Sequence, residues 1–471
     1  MGKRNVSADA RFDFDSIVIG GGSGGYAAAR TLAAAGQRVA VIDGAETLGG
    51  LCILRGCMPS KALLYAAEVR HLARHGATWG LRPGKMGFDF ASVMRRKDEM
   101  IRNFAEYRQG QLADGRFSLV RAHAQFLDAH TVQLNDGRKL RARNFVIATG
   151  SVVRPNPVPG LDAAGYITSD EALELKRAPK SLIVLGGGAI GIELAQFYQR
   201  FDTRVTLIQR SEHLLREFDH DAADVVTASL RAEGMEVFTG THLVGAERLG
   251  PKRKRIVFQH GGKERRVEAE EILFALGRIP NTAKLGLANA GVATEHGRIT
   301  TDADMRTTAR NIFAAGDCTG PHEIVHIAIQ QGEVAAKNIL AGRRRAKIDY
   351  RLLINVVFSD PQVATVGLTE HEAKRRGIKF LTASYPFNDH GKSMIMDVQH
   401  GFVKLLADPR TGEILGGACV GPHGGELIHE VVVAMAKRMT AAELAATPHY
   451  HPTLAEIWTY PAEELAEQVA R

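Results

Sequence analysis

Twice along this chain a short apolar strand runs straight into a glycine triplet, and a helix of small residues follows. In the first copy, residues 14–19 (Phe-Asp-Ser-Ile-Val-Ile) lead into Gly20-Gly21-Gly22-Ser23-Gly24-Gly25. An alanine-rich helix from Tyr26 to Ala35 comes next, then a strand from Arg38 to Ile42 that closes on Asp43. Few folds accept this order. Gly20 permits the tight turn, Gly22 lets a backbone approach a pyrophosphate, and Gly25 lets helix and strand pack closely. The helix N-terminus aims amide donors and positive dipole at the phosphates. Asp43 is placed for a ribose diol. A lone glycine triplet is a weak signal. Strand, helix, strand and acid in sequence form a dinucleotide-binding βαβ unit.

The second copy runs from the strand Ser181–Leu185 through Gly186-Gly187-Gly188-Ala189-Ile190-Gly191 and a helix ending at Arg200. Its second strand, Arg204–Ile208, ends on Gln209-Arg210 instead of an acid. Gln209 has no negative charge to repel a 2′-phosphate, and Arg210 and Arg216 are placed to receive one. The pattern favours NADP(H) over NAD(H). Against it, two surface arginines alone carry no specificity, and Gly191 is more usual in NAD-type sites.

Between the two copies lies Gly49 to Lys61, with Cys52 and Cys57 five residues apart; the chain has only 4 cysteines in 471 residues. So short a spacing lets two sulfurs meet only if the backbone bends or coils. Gly56 helps such a bend, and Pro59 suits the first turn of a following helix. A helix starting near Cys57 would favour a thiolate there. Two structural cysteines, or half a metal site, remain the alternatives, although two further ligands at similar spacing are absent. Lys61 to Arg74 reads as a helix with Leu63, Leu64, Ala67 and Leu72 facing a core.

Further on, Phe90 to Gln111 is a long charged helix, and Asn135-Asp136-Gly137 is a hairpin signal. Phe145 to Gly150 is an apolar strand ending in Ala-Thr-Gly. Pro155 to Gly160 has the prolines of a linker. A strand from Glu271 leads into Gly277-Arg278-Ile279-Pro280-Asn281, and another ends at Gly316-Asp317. Asp317 is either a turn cap or a group reaching a cofactor ribityl or phosphate. From about Ala346 strands and helices mix in an α+β pattern. It ends in His449-Tyr450-His451-Pro452-Thr453-Leu454-Ala455-Glu456. His451 and Glu456 are a candidate acid/base and orienting carboxylate; an exposed structural histidine is the alternative.

An apolar fraction of 45% with 49 glycines suits an α/β enzyme of several domains. The apolar runs fall short of a membrane span. Met1 to Arg11 contains no leader core and no myristoylation pattern, so a cytoplasmic location is expected. In that compartment a catalytic disulfide is more usual than a structural one. The net charge of +8 gathers in part at Lys252–Arg255 and Arg343–Arg345. With no nucleic-acid motif beside them, these read as solvated loops.

Two dinucleotide folds, a cysteine pair between them and a terminal His-Pro-Thr-x-x-Glu together resemble the FAD-dependent pyridine nucleotide–disulfide oxidoreductases. The likeness runs from about Asp15 to Glu456 and includes Ala148-Thr149-Gly150, Gly277-Arg278-Ile279-Pro280-Asn281 and Ala315-Gly316-Asp317. It implies that Gly20, Gly22, Gly25, Asp43, Lys61, Gly150 and Asp317 bind FAD. It implies that Gly186, Gly188, Gly191, Arg210, Arg216 and Gly277 bind NAD(P)H. Cys57 would be the flavin-side thiolate, Cys52 the interchange thiol, and Lys61 would pair with Glu193. His451, held by Glu456, would be the acid/base, working in the partner subunit of a homodimer.

Within the family, Pro59-Ser60-Lys61, Ala189-Ile190-Gly191-Ile192-Glu193 and His326 resemble dihydrolipoamide dehydrogenases. Ser23 and Arg30 resemble glutathione reductases. Mercuric reductases and high-molecular-weight thioredoxin reductases are disfavoured, because no cysteine follows Cys419. Gln209 and Ile53-Leu54-Arg55 depart from the lipoamide pattern. The implied fold is two Rossmann-like FAD- and NAD(P)-binding domains plus a C-terminal α+β dimerisation domain. Its parts would be residues 1–153 and 279–345 for FAD, 154–278 for NAD(P) and 346–471 for dimerisation. The implied substrate is a lipoyl protein or small dithiol/disulfide, with a small-disulfide or metal-ion reductase as alternative. A flavin redox sensor without turnover would have no need of the acid/base pair. No metal, nucleic-acid or membrane partner is expected.

Overall fold

A computed structural model describes residues 12–82, 84, 87–341 and 345–470. Met1 to Arg11, read above for targeting signals, and Arg343 and Arg344 of the second basic cluster lie outside the described residues. The chain divides into two compact units. One holds the described residues of Met1–Pro59 with Arg95–Pro155 and Gly277–Ile348; the other holds Ser60–Met94, Asn156–Leu276 and the described residues of Asp349–Arg471.

The first unit is built on a seven-stranded sheet. Phe14–Ile19 pairs in parallel with Val39–Ile42 on one side and with Lys139–Ile147 on the other. The start of that long strand pairs antiparallel with Thr131–Leu134, the two joined by the turn Asn135-Asp136-Gly137, and Thr131–Leu134 pairs antiparallel with Ala124–Asp128. Its end pairs in parallel with Ile312–Ala314. The apolar runs of these strands, residues 17–19, 39–42 and 145–147, are continuous because both faces are covered. Ile17, Val18, Val41, Val146 and Ile147 are fully buried. Helix α1 (Ser23–Ala34) follows the first strand, α2 (Gly50–Arg55) and α3 (Cys57–Arg74) carry the cysteines, and α4 (Phe90–Leu112) comes next.

The second unit repeats the motif. Its parallel sheet has the order Glu236–Phe238, Arg204–Ile208, Ser181–Leu185, Glu271–Phe274, and α5 (Ala189–Arg200) follows the glycine triplet. A three-stranded antiparallel sheet spans residues 242–269. A five-stranded antiparallel sheet, with Gln362–Gly367 and Ile414–Gly421 at its centre, forms the C-terminal portion.

Two sequence expectations need correction. Leu72 is 54% exposed, while Leu63 and Ala67 are buried. At 3.6 residues per turn, a position nine residues beyond Leu63 lies half a turn round the helix, on the opposite face. The cluster at Lys252–Arg255 is not a solvated loop. It opens the strand Arg253–His260, where Lys254 is buried against Glu271 and Arg255 pairs with Glu247 at 3.0 Å and Glu268 at 2.6 Å.

Candidate active site

The cysteine segment is shaped by glycine. A Cβ on Gly56 would lie 3.0 Å from the Leu51 carbonyl oxygen and 3.3 Å from Cys52 Cα. Glycine lets the chain fold back tightly over the Cys52 turn without displacing these neighbours. Cys57 is then the first residue of α3, where the helix dipole favours a thiolate. Cys52 and Cys57 are both half-buried. Cys318 and Cys419 are fully buried instead, and burial pushes the Cys318 thiol up to about 11 and Cys419 higher still. Neither would be a thiolate at neutral pH.

Lys61 lies one turn into α3. Its Nζ donates to Glu193 Oε2 at 2.7 Å and sits 4.6 Å from the centre of the Phe358 ring. Glu193, on α5, is 4% exposed, and its second oxygen accepts the Phe358 amide at 3.0 Å. Both carboxylate oxygens are thus held. A buried charge so paired fixes the ammonium in place.

Near the C-terminus, His451 Nδ1 meets both oxygens of Glu456 at 3.0 Å. Glu456 is buried, whereas the His451 side chain is 76% exposed. With Nδ1–H donated to the carboxylate, Nε2 is the nitrogen left to exchange a proton. Sequence reading missed a third member. His390, fully buried, places Nε2 3.2 Å from Glu456 Oε1 and Nδ1 2.8 Å from Ser393 Oγ. Burial holds its pKa below the ordinary value, against the pull of Glu456. Neutral imidazole satisfies both contacts, with Nε2–H donating to Glu456 and Nδ1 accepting the Ser393 hydroxyl. His390 stands 66 residues from Glu456, and no spacing signal marks it. His449 is held apart, by Glu430.

Each glycine triplet forms a cradle. In the first unit, Gly22 is the N-cap of α1 without a side chain in the way, and Asp43 Oδ2 accepts the Gly21 amide at 2.8 Å. Asp43 Oδ1 accepts the Ala45 amide at 2.9 Å, which leaves lone pairs on both oxygens for a diol. Gly150 has φ +69°, and its carbonyl accepts the Asn281 amide at 2.9 Å. Asp317 accepts from Ser151 Oγ at 2.7 Å. Ser151 Oγ in turn accepts Arg278 Nε at 2.9 Å. Gly277 also belongs to this unit, with its carbonyl on the Arg154 amide at 3.2 Å. The open cradle with an acid beside it fits a flavin dinucleotide.

In the second unit, a Cβ at Gly188 would meet nothing within 4 Å, so the approach to the α5 N-terminus is open. Gln209 Oε1 accepts the Gly187 amide at 2.8 Å. Arg210 and Arg216 are exposed, and Arg216 lies 3.9 Å from Glu217.

Among the described residues one group, His71, Glu233 and Asp360, has metal-ligand geometry. Arg200 already engages its carboxylates, at 2.6 Å and 2.7 Å. Also among the described residues, no helix is long and apolar enough to cross a membrane.

Residues 14–332 match the family described as pyridine nucleotide-disulphide oxidoreductase, and residues 354–462 match the dimerisation domain of that family. The chain is 36% identical over 463 residues to dihydrolipoyl dehydrogenase of Geobacillus stearothermophilus, covering 97% of each chain. It is 34% identical over 454 residues to mercuric reductase of Bacillus cereus, covering 96% of this chain and 71% of that one. The fold is similar to that of the HOCl-induced flavoprotein disulfide reductase RclA from Escherichia coli. That match has a TM-score of 0.84 and 27% identity, and covers 95% of this chain and 99% of the other.

Proposed function

The chain belongs to the pyridine nucleotide-disulphide oxidoreductase family and is a flavoprotein disulfide oxidoreductase, and from that premise we propose which residues carry the reaction. Cys52 and Cys57 are the redox pair, and NADP(H) is the favoured nicotinamide nucleotide. The observation that carries the first assignment is the start of α3 at Cys57, with Lys61 one turn on and held by Glu193.

The Gly20–Gly25 loop and Asp43 hold the pyrophosphate and ribose of FAD, with Gly150 and Asp317 as further contacts. Bound FAD supplies the two-electron exchange between nicotinamide and sulfur. The Gly186–Gly191 loop holds the nicotinamide nucleotide, and Arg210 and Arg216 receive a 2′-phosphate.

The protein's own groups then do the following. In the reducing direction, the Cys52 thiolate attacks one sulfur of the substrate disulfide, forming a mixed disulfide and releasing a thiolate. Protonated His451 gives that thiolate its proton. The Cys57 thiolate next attacks the Cys52 sulfur, closing the Cys52–Cys57 disulfide and releasing the second substrate thiolate. The cysteine pair has lost two electrons and the substrate has gained them. With a dithiol substrate every step reverses, and His451 takes the proton. Glu456 fixes the His451 tautomer, and His390 fixes Glu456. In the family arrangement His451 serves the partner subunit of a homodimer, and the match of residues 354–462 to the dimerisation domain supports this.

The relatives point to a lipoyl dithiol as substrate. The neutral Gln209 supports a second reading, an NADPH-dependent reductase of small disulfides or metal ions. Turnover measurements separate them: NAD+ and NADP+ against dihydrolipoamide, then NADH and NADPH against oxidised glutathione and mercuric ion. No turnover of lipoamide with either nucleotide would sink the lipoyl reading. For the cysteine roles, Cys52→Ser should keep a long-wavelength charge-transfer absorbance that Cys57→Ser abolishes.

A further inference from the structure

Arg108 has a setting that the relay does not explain. It lies near the C-terminal end of α4, in the same compact unit as α1 and the two cysteines. Its guanidinium stacks on Tyr26, with Cζ 4.2 Å from the ring centre. Among the described residues its Nε and Nη1 have no hydrogen-bond partner, and both are buried. Tyr26, Cys52, Arg30 and Tyr107 act on it electrostatically. None of these is a carboxylate, and burial holds the guanidinium below its ordinary pKa.

Its basic neighbours are different. Arg30 pairs with Glu333 at 2.6 Å, and Arg116 engages Asp114 at 2.6 Å and the Tyr26 hydroxyl at 3.1 Å. A guanidinium carries five donors, and taking it out of water unpaired is costly. The protein satisfies two of three arginines around Tyr26 and leaves the one beside Cys52 open. An acceptor from outside the chain would satisfy its buried Nε and Nη1.

We propose that Arg108 recognises an anionic group, specifically a carboxylate, on the disulfide or dithiol that reacts at Cys52. The planar fork of a guanidinium matches a carboxylate with two parallel hydrogen bonds. The direction of approach agrees. Tyr26 and Arg30 are one turn apart on α1 and share a face. Tyr26 is 7% exposed and the Arg30 side chain 46%, so this face leads from the buried guanidinium to solvent. The proposal rests on the assignment of Cys52 as the interchange thiol. The flavin diphosphate and a carboxylate of the partner subunit are the other anions that could meet the same chemistry, and the test below separates the three: only a substrate-binding role makes charge ranking depend on Arg108.

The test uses flavin-loaded enzyme and three linear disulfides that differ in charge: dithiodiglycolate (anionic), hydroxyethyl disulfide (neutral) and cystamine (cationic). Wild type should rank them in that order by kcat/KM. Arg108→Gln should lower the anionic-to-neutral ratio about tenfold, mostly through KM, and Arg108→Lys should restore part of it. Flavin content and the visible spectrum should match wild type in both variants. Turnover without charge ranking in wild type would overturn the proposal, as would an Arg108→Gln ratio equal to wild type. Loss of flavin from both variants would assign Arg108 to the cofactor and overturn it too. Failure of wild type to reduce any of the three would instead sink the disulfide reading on which it stands.

Discussion

The two nucleotide folds can be laid side by side, because almost every backbone contact recurs. Gly20 N donates to Ile42 O at 2.8 Å, and Gly186 N to Ile208 O at 2.9 Å. A Cβ on Gly25 would lie 1.8 Å from Gly20 O, and one on Gly191 would lie 2.0 Å from Gly186 O. The amide of the second glycine is held in both, at 2.8 Å, by the side chain that ends the second strand. That side chain is Asp43 in one fold and Gln209 in the other. Asp43 spends its other oxygen on the Ala45 amide, whereas Gln209 turns its amide to Ser211. The position therefore does two separable jobs. Tying down the glycine turn needs only an acceptor, which a glutamine supplies. Setting the charge met by the nucleotide ribose is a second choice, and here the two folds part.

The comparison can be broken at its strongest point first. Gly25→Ala and Gly191→Ala each force a methyl group into a backbone oxygen, and each should destabilise its own fold by about 3 kcal/mol. Thermal melts of the two variants should show similar losses; a mild effect in one alone would end the equivalence. Asp43→Ala comes next. It removes both the turn acceptor and the diol partner, so flavin affinity should fall roughly tenfold to a hundredfold, read as flavin content after dialysis. Gln209→Ala removes only the acceptor and should cost the nicotinamide nucleotide less. Replacing Arg210 and Arg216 together with alanine should reduce the NADPH-to-NADH ratio of kcat/KM about tenfold. An unchanged ratio would show the 2′-phosphate assignment to be wrong. The smallest effect is expected from Gln209→Glu, which keeps the acceptor and adds the charge. It should move preference toward NADH by roughly fivefold through repulsion at an exposed site.

What could be read from the chain was what local sterics dictate. Gly20, Gly25, Gly186 and Gly191 were legible because a backbone oxygen lies too close to each for any side chain. The break between α2 and α3 was legible because Gly56 and Pro59 stand at fixed offsets. Strand ends such as Ser181, Leu185, Arg204 and Ile208 were legible because the apolar runs are bounded by glycine, polar or charged residues. The assignment of Leu72 to the core failed because four leucine and alanine positions were read as one stripe without following the helix round. Lys254 was misread because a lysine in a basic cluster gives no sign that Glu271 faces it from another strand.

The cysteine spacing, the acid at one strand end and the glutamine at the other were settled by the sequence alone. Each acts within a turn or two of where it stands in the chain. His390 and Arg108 were decided by tertiary structure. One acquires its meaning from a carboxylate 66 residues away, and the other from two buried guanidinium nitrogens that have no hydrogen-bond partner among the described residues. Desolvation is a property of everything packed around a group, so no local pattern records it.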